Sequence, residues 1–176
     1  MYSVYDISQS YDIKFILAIL NSTLIKRYWI SKYSDSKQLF PKIKGYQLKE
    51  LPIYITDAQQ PFIALADTML SLNAQLQDKR TRFLRRLNDN LEGVKITTAL
   101  QAFDQLDFKG LMAELKKQKI HIPVKEQDEW EDFFNERVAE CQALSAQIKA
   151  TDEEIDNKVF DLYGLTEEER KIVMEA

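Results

Sequence analysis

From Lys125 to Tyr163 the positions Trp130, Phe134, Arg137, Cys141, Leu144, Ile148, Thr151, Ile155, Lys158 and Leu162 step by alternating fours and threes. This is a heptad register, carried without a Gly or Pro until Gly164, and Phe133, Val138 and Val159 widen its apolar stripe. A seam of that length is covered only by another helix lying along it. Residues 58–91 supply the partner, with Phe62, Leu65, Met69, Leu72, Leu76, Phe83 and Leu87 on one face. At 1.5 Å per residue that helix is about 50 Å long. Residues 94–124 can turn the chain back, so the pair is expected to be antiparallel and coiled-coil-like. Only four Gly and four Pro occur in 176 residues, which agrees with few, long helices. The predicted class is therefore mainly α.

Helix ends are marked as well. Asp57 with Gln60 resembles a capping box ahead of the first long helix, and Gly93 stops it. Thr151 with Glu154 forms a similar pattern, so a break near Ala150 is an open alternative to a continuous helix over 125–163. Thr166 with Glu169 caps a short helix over 167–175. The insertion 94–124 is mixed: Asp107 caps a helix from Phe108 to Gln118, and Ile120, Ile122 and Val124 alternate as a short strand or an extended link. Near the N-terminus, residues 2–7 read as a strand, and Met1 as an introduced or fortuitous start within a longer frame. Residues 12–32 read as one amphipathic helix through Ile13, Ile16, Leu17, Leu20, Leu24 and Tyr28. Lys26, Arg27 and Lys32 sit in its last turns, which suits the negative end of the helix dipole. A short strand is expected near Ile43 to Leu48, and Leu51-Pro52-Ile53 is expected to be extended. Two domains follow: a small N-terminal α+β lobe, 1–56, and a helical arm, 57–176.

The apolar fraction of 45% supports a buried core. No run of about 18 uncharged apolar residues exists, so no membrane partner is expected. The N-terminus lacks the basic start of a signal peptide, and Cys141 stands alone; a cytoplasmic location is the expectation. The net charge of −4 is unevenly shared. Residues 1–95 carry 14 Lys/Arg against 9 Asp/Glu, and residues 96–176 carry 10 against 19. An acidic whole speaks against nucleic acid, but the basic excess is concentrated in one half.

Motifs for chemistry are missing. The glycines, Gly45, Gly93, Gly110 and Gly164, form no phosphate loop. One histidine, His121, and one cysteine, Cys141, give no zinc spacing, and no metal or cofactor is expected. Glu114-Leu-Lys116 matches the tail of a nuclease-type motif but falls in helical sequence. The pairs Glu126/Glu129, Glu153/Asp156 and Glu167/Glu168 read as solvated helix faces. Cys141 reads as a small buried hydrophobe, and Trp130 and Phe134 as packing anchors. No catalytic residue is assigned, and the chain is expected not to be an enzyme. What remains is basic. Lys37, Lys42, Lys44 and Lys49 are interleaved with Tyr33, Phe40 and Tyr46, and with Ser34, Ser36, Gln38 and Gln47. That mixture suits phosphate contact and base-edge reading. Lys79, Arg80, Arg82, Arg85 and Arg86 form a second cluster, open to a phosphate backbone or to pairing with the acidic helix 125–163.

Two strings give a resemblance: Phe15-Ile-Leu-Ala-Ile-Leu-Asn-Ser-Thr-Leu-Ile25, and Leu39-Phe-Pro-Lys-Ile-Lys-Gly-Tyr-Gln-Leu-Lys-Glu-Leu-Pro-Ile53. In order and spacing they resemble the end of the target recognition domain of type IIG restriction–modification enzymes and related adenine-N6 DNA methyltransferases, and more loosely of type I specificity subunits. Ala150-Thr-Asp-Glu-Glu-Ile-Asp156 and Val159-Phe-Asp-Leu-Tyr-Gly-Leu-Thr-Glu-Glu-Glu169 resemble the tail of the same polypeptides. The resemblance implies that 1–56 is part of a lobe reading double-stranded DNA within a full enzyme. It also implies that the helices are spacers and that catalysis belongs to an upstream methyltransferase or nuclease region. Lys37, Lys42, Lys44, Tyr46 and Lys49 are then the candidate DNA contacts. The competing reading is a protein-interaction module whose heptad stripe pairs two chains as a homodimer.

Overall fold

The computed structural model describes residues 11–33, 44–54 and 56–175. Among these the regular elements are helical: α1 (Ile13–Asn21), α2 (Thr23–Tyr33), α3 (Gly45–Lys49), α4 (Gln60–Asn90), α5 (Thr98–Gln101), α6 (Phe108–Lys117), α7 (Val124–Tyr163) and α8 (Glu167–Glu175). The mainly α class is what the structure shows. The strand expected at 2–7 lies outside the described residues. The strand expected near Ile43 to Leu48 is corrected: residues 45–49 are the helix α3. The alternative of a break near Ala150 does not occur, because α7 runs unbroken for 40 residues. The chain forms two compact units, residues 1–70 with 150–176, and residues 71–149.

In the first unit, the predicted helix 12–32 is two helices. Asp12 caps α1 by accepting from the Lys14 N–H at 2.7 Å. At Ser22 the backbone turns extended, with ψ 150, and its hydroxyl donates back to the Ile19 carbonyl. The new start of α2 is capped from far away in sequence. Asp156 of α7 accepts from the Thr23 N–H at 2.7 Å and from its hydroxyl at 2.6 Å. Asp156, which reads in sequence as part of a solvated acidic face, is 5% exposed. A buried carboxylate is tolerated there because it satisfies donors that a helix start leaves open. Asp156→Ala should therefore cost about 1–2 kcal/mol, seen as a lower urea midpoint, and Asp156→Asn, which keeps one acceptor, should lose less.

Around this joint pack Phe15, Ala18, Ile19 and Ile25, with Phe62 and Ala66 of α4 and Ile155 and Val159 of α7. Phe15 meets Phe62 edge-on at 5.4 Å. The Leu51–Ile53 segment, expected to be extended, lies outside the helices. The Tyr163 hydroxyl holds it, donating to the Pro52 carbonyl and accepting from the Tyr54 N–H. Thr166 and Glu169 form the predicted capping box at α8. Ahead of α4, where the sequence pattern points to Asp57 as the cap, the Thr56 hydroxyl accepts from the Ala58 N–H in a turn that precedes the helix start at Gln60.

In the second unit, α4 and α7 run antiparallel. Phe83 faces Phe133 and Phe134, and four residues earlier Lys79 meets Glu140 of the following turns of α7. The insertion supplies a third layer. Leu100, Phe103, Leu111, Leu115 and Ile122 are buried against Phe83, Leu87, Phe134 and Cys141. Burial of Cys141 pushes its thiol pKa up. Asp107 caps α6 as predicted, accepting from the Gly110 N–H at 2.7 Å. A side chain at Gly110 would come within 3.1 Å of that same carboxylate.

The heptad positions on α7 are placed as follows. Phe134, Cys141 and Ile155 are buried; Trp130, Arg137, Leu144, Ile148, Thr151, Lys158 and Leu162 are half-buried. On α4, Phe62, Leu72 and Leu76 are buried, and Leu65 and Met69 half-buried.

Candidate nucleic-acid interface

Of the five residues expected to touch DNA, Lys37 and Lys42 lie outside the described residues. Lys44, Tyr46 and Lys49 fall on or beside α3, and all three are exposed, Tyr46 at 54%. The local fold explains their placement. The Lys44 N–H donates to the Gln47 side-chain oxygen at 2.7 Å, which closes the first turn of α3. Gln47 is consequently 6% exposed. Its type and position suit the reading of base edges, but in the structure it caps its own helix.

Beside α3 lies the aromatic and basic end of α2. Tyr46 meets Tyr33 edge-on at 6.5 Å, and Tyr33 lies 6.5 Å from Trp29. Lys32 lies over the rings of Tyr28 and Tyr33, at 5.4 and 5.2 Å. Glu50 is the acid within this group. It accepts from the Tyr33 hydroxyl at 2.6 Å and faces the Lys32 ammonium at 3.3 Å. The Tyr33 hydrogen bond, then that of Lys32, holds the Glu50 carboxyl below its ordinary pKa. Hydrogen bonds that the Lys32 ammonium donates to Tyr28, Tyr33 and Glu50 hold it charged to higher pH than usual.

Glu50 is thus occupied by Lys32 and Tyr33. Lys26, Arg27, Lys44 and Lys49 have no ion-pair partner among the described residues. In sequence, Lys26, Arg27 and Lys32 suggest only a helix-dipole role. The signal for more is spacing: Lys26, Trp29 and Tyr33 share one helical face, and Lys32 follows Tyr28 by four residues. The chemistry such a face offers is phosphate neutralisation by exposed cations, with flat rings and tyrosine hydroxyls beside them.

The second basic cluster divides. Lys79 pairs with Glu140 at 2.9 Å, Arg80 with Asp104 at 2.7 Å, and Arg82 with Asp78 of its own helix. Arg85 and Arg86 are exposed and carry no ion pair among the described residues. Glu114 is taken up by Lys117, and His121 is exposed in the link before α7. Among the described residues there is no group of three His, Cys, Asp or Glu able to hold a metal ion. No described helix is long and apolar enough to cross a membrane.

The described N-terminal segment thus presents exposed lysines beside tyrosines in a mainly helical chain. Residues 1–53 match the model of the TaqI-like C-terminal specificity domain, consistent with the recognition region of a type IIG restriction–modification enzyme. Residues 55–159, more than half of the chain, match a domain of unknown function, DUF8810, and the chain belongs to that family. No curated protein and no solved structure matches it.

Proposed function

We propose that this chain is a recognition and spacer region of a restriction–modification protein, without a catalytic site of its own, in which the α2–α3 face meets double-stranded DNA. The observation that supports it is the exposed pair Lys44 and Lys49 beside Tyr46, without an ion-pair partner among the described residues, within the segment that matches a specificity domain. In this reading α4 and α7 are structural, and a methyltransferase or nuclease region supplies the chemistry in the cytoplasm. The apolar stripe that would join two chains is taken up within one chain in the second unit, where Phe134 and Cys141 are fully buried.

Lys44→Glu combined with Lys49→Glu should weaken duplex binding. It should also flatten the plot of log affinity against log salt by about 0.9 for each phosphate no longer neutralised. Fluorescence anisotropy titrations over a range of salt measure both quantities. A folded variant with unaltered affinity and slope would overturn the assignment.

A further inference from the structure

The insertion between α4 and α7 gathers a second set of free cations. Lys95, Lys116, Lys119, His121 and Lys125 are all exposed, and none has an ion-pair partner among the described residues. Two side-chain amides fasten the backbone segments that carry them. Gln118 accepts from the Lys95 N–H at 2.7 Å and donates to the Lys95 carbonyl at 3.1 Å, which ties the segment after α4 to the end of α6. Gln127 of α7 donates to the Ile122 carbonyl at 3.0 Å, and Ile122 itself is buried. The link 118–123 is therefore fastened on both sides. Of the acids near them in sequence, Glu114 is occupied by Lys117, Glu126 is half-buried, and Glu92, Asp128 and Glu129 are exposed without forming an ion pair to these lysines among the described residues.

The backbone at Lys119 separates this cluster from an ordinary solvated end. The Ile120 N–H reaches the Leu115 carbonyl at 3.0 Å and the Lys119 N–H reaches that of Lys116 at 2.9 Å. Residue 119 then occupies the left-handed position of a helix stop, with φ 64. α7 ends in the same way: Leu165 N–H to Phe160, Gly164 N–H to Asp161, and φ 69 at residue 164. There the left-handed residue is glycine, the residue such a stop favours, because a Cβ is strained at positive φ. At residue 119 a lysine bears that strain and is exposed. Strain retained at an exposed charged residue points to use of the charge.

We propose that Lys95, Lys116, Lys119 and Lys125 form a second, sequence-independent contact to the phosphate backbone of duplex DNA, in addition to the α2–α3 face. The choice of DNA as the polyanion rests on the recognition reading; the cluster itself does not. Four lysines without an ion-pair partner among the described residues neutralise phosphates without reading bases, so this contact adds affinity and salt dependence but no sequence preference.

The decisive variant is Lys119→Gly in the full chain, with a labelled duplex of mixed sequence as the probe. Relief of strain should raise the melting temperature by roughly 2–4 °C, while the salt slope should fall by about 0.9. Stability and binding thus move in opposite directions, which a purely structural lysine would not produce. Lys95→Gln with Lys125→Gln should lower the slope further, and Lys171→Gln on α8 should leave it unchanged. If the Lys119 and Lys95/Lys125 variants bind as the parent does while Lys44→Glu/Lys49→Glu weakens binding, the second contact is overturned and the recognition reading stands. If the parent shows no salt-dependent binding at all, both fall.

Discussion

Phe83→Ala should lower the unfolding free energy by about 3–5 kcal/mol, the usual cost of emptying a fully buried phenylalanine site. At roughly 2–4 °C per kcal/mol for a chain of this size, the melting transition should fall by about 6–20 °C. Phe83 has no exposed surface, and it is the ring on which the second unit converges. It stacks on Phe103 at 3.9 Å, and Phe133 and Phe134 approach to 6.0 and 5.9 Å. Its removal therefore uncouples α4 both from α7 and from the insertion. Partial collapse is resisted because the surrounding rings are held by separate elements. Leu70→Ala, on the same helix but at a half-exposed position, should change stability by less than about 0.5 kcal/mol. Thermal unfolding followed by circular dichroism compares the two. A Phe83→Ala effect below about 1 kcal/mol would mean that the aromatic cluster is not the centre of this unit.

That cluster also separates what the sequence makes legible from what it does not. The long helices are legible because a 3.6-residue apolar period extended over many turns has no other reading, and Gly93 and Gly164, at φ 79 and 69, mark real stops. The joint at Ser22 is not legible. Leu24 and Ile25 continue the apolar period across it, and the group that stabilises the break, Asp156, lies 133 residues away. α3 reads as a strand because five residues are too few to show a helical period. The insertion is obscure for a related reason: its short helices are specified by what they cover, Phe83 and Phe134, more than by their own pattern.

The candidate interface is half legible. Free lysines beside tyrosines at 44, 46 and 49 are visible in composition. That Gln47 turns inward, and that Lys32 and Tyr33 neutralise Glu50, depends on contacts across 3 to 18 positions that no local pattern encodes. The two ways of dividing the chain reflect the same limit. The family matches meet between residues 53 and 55, whereas the compact units cut through α4 and α7, since a continuous helix can serve two cores.

The polar counterpart of Phe83 in the second unit is the Arg80–Asp104 pair, and it should behave asymmetrically. The guanidinium meets both carboxylate oxygens, at 2.9 and 2.7 Å, and the Asp104 carbonyl accepts from Gln142 of α7 at 3.1 Å. The Asp104 side chain is 4% exposed, that of Arg80 27%. Removing the arginine as Arg80→Met leaves a carboxylate that cannot reach water, and should cost about 3–5 kcal/mol. Removing the acid as Asp104→Leu leaves an arginine whose head can still turn outward along its apolar stem, and should cost about 1–3 kcal/mol. The double variant, with two apolar side chains facing one another, should recover most of the larger deficit, because such replacements are often neutral. Urea unfolding of all four proteins closes the cycle. If both single variants lose equally and the double loses their sum, the pair is two independent surface charges, and the insertion is held to α4 by its apolar contacts alone.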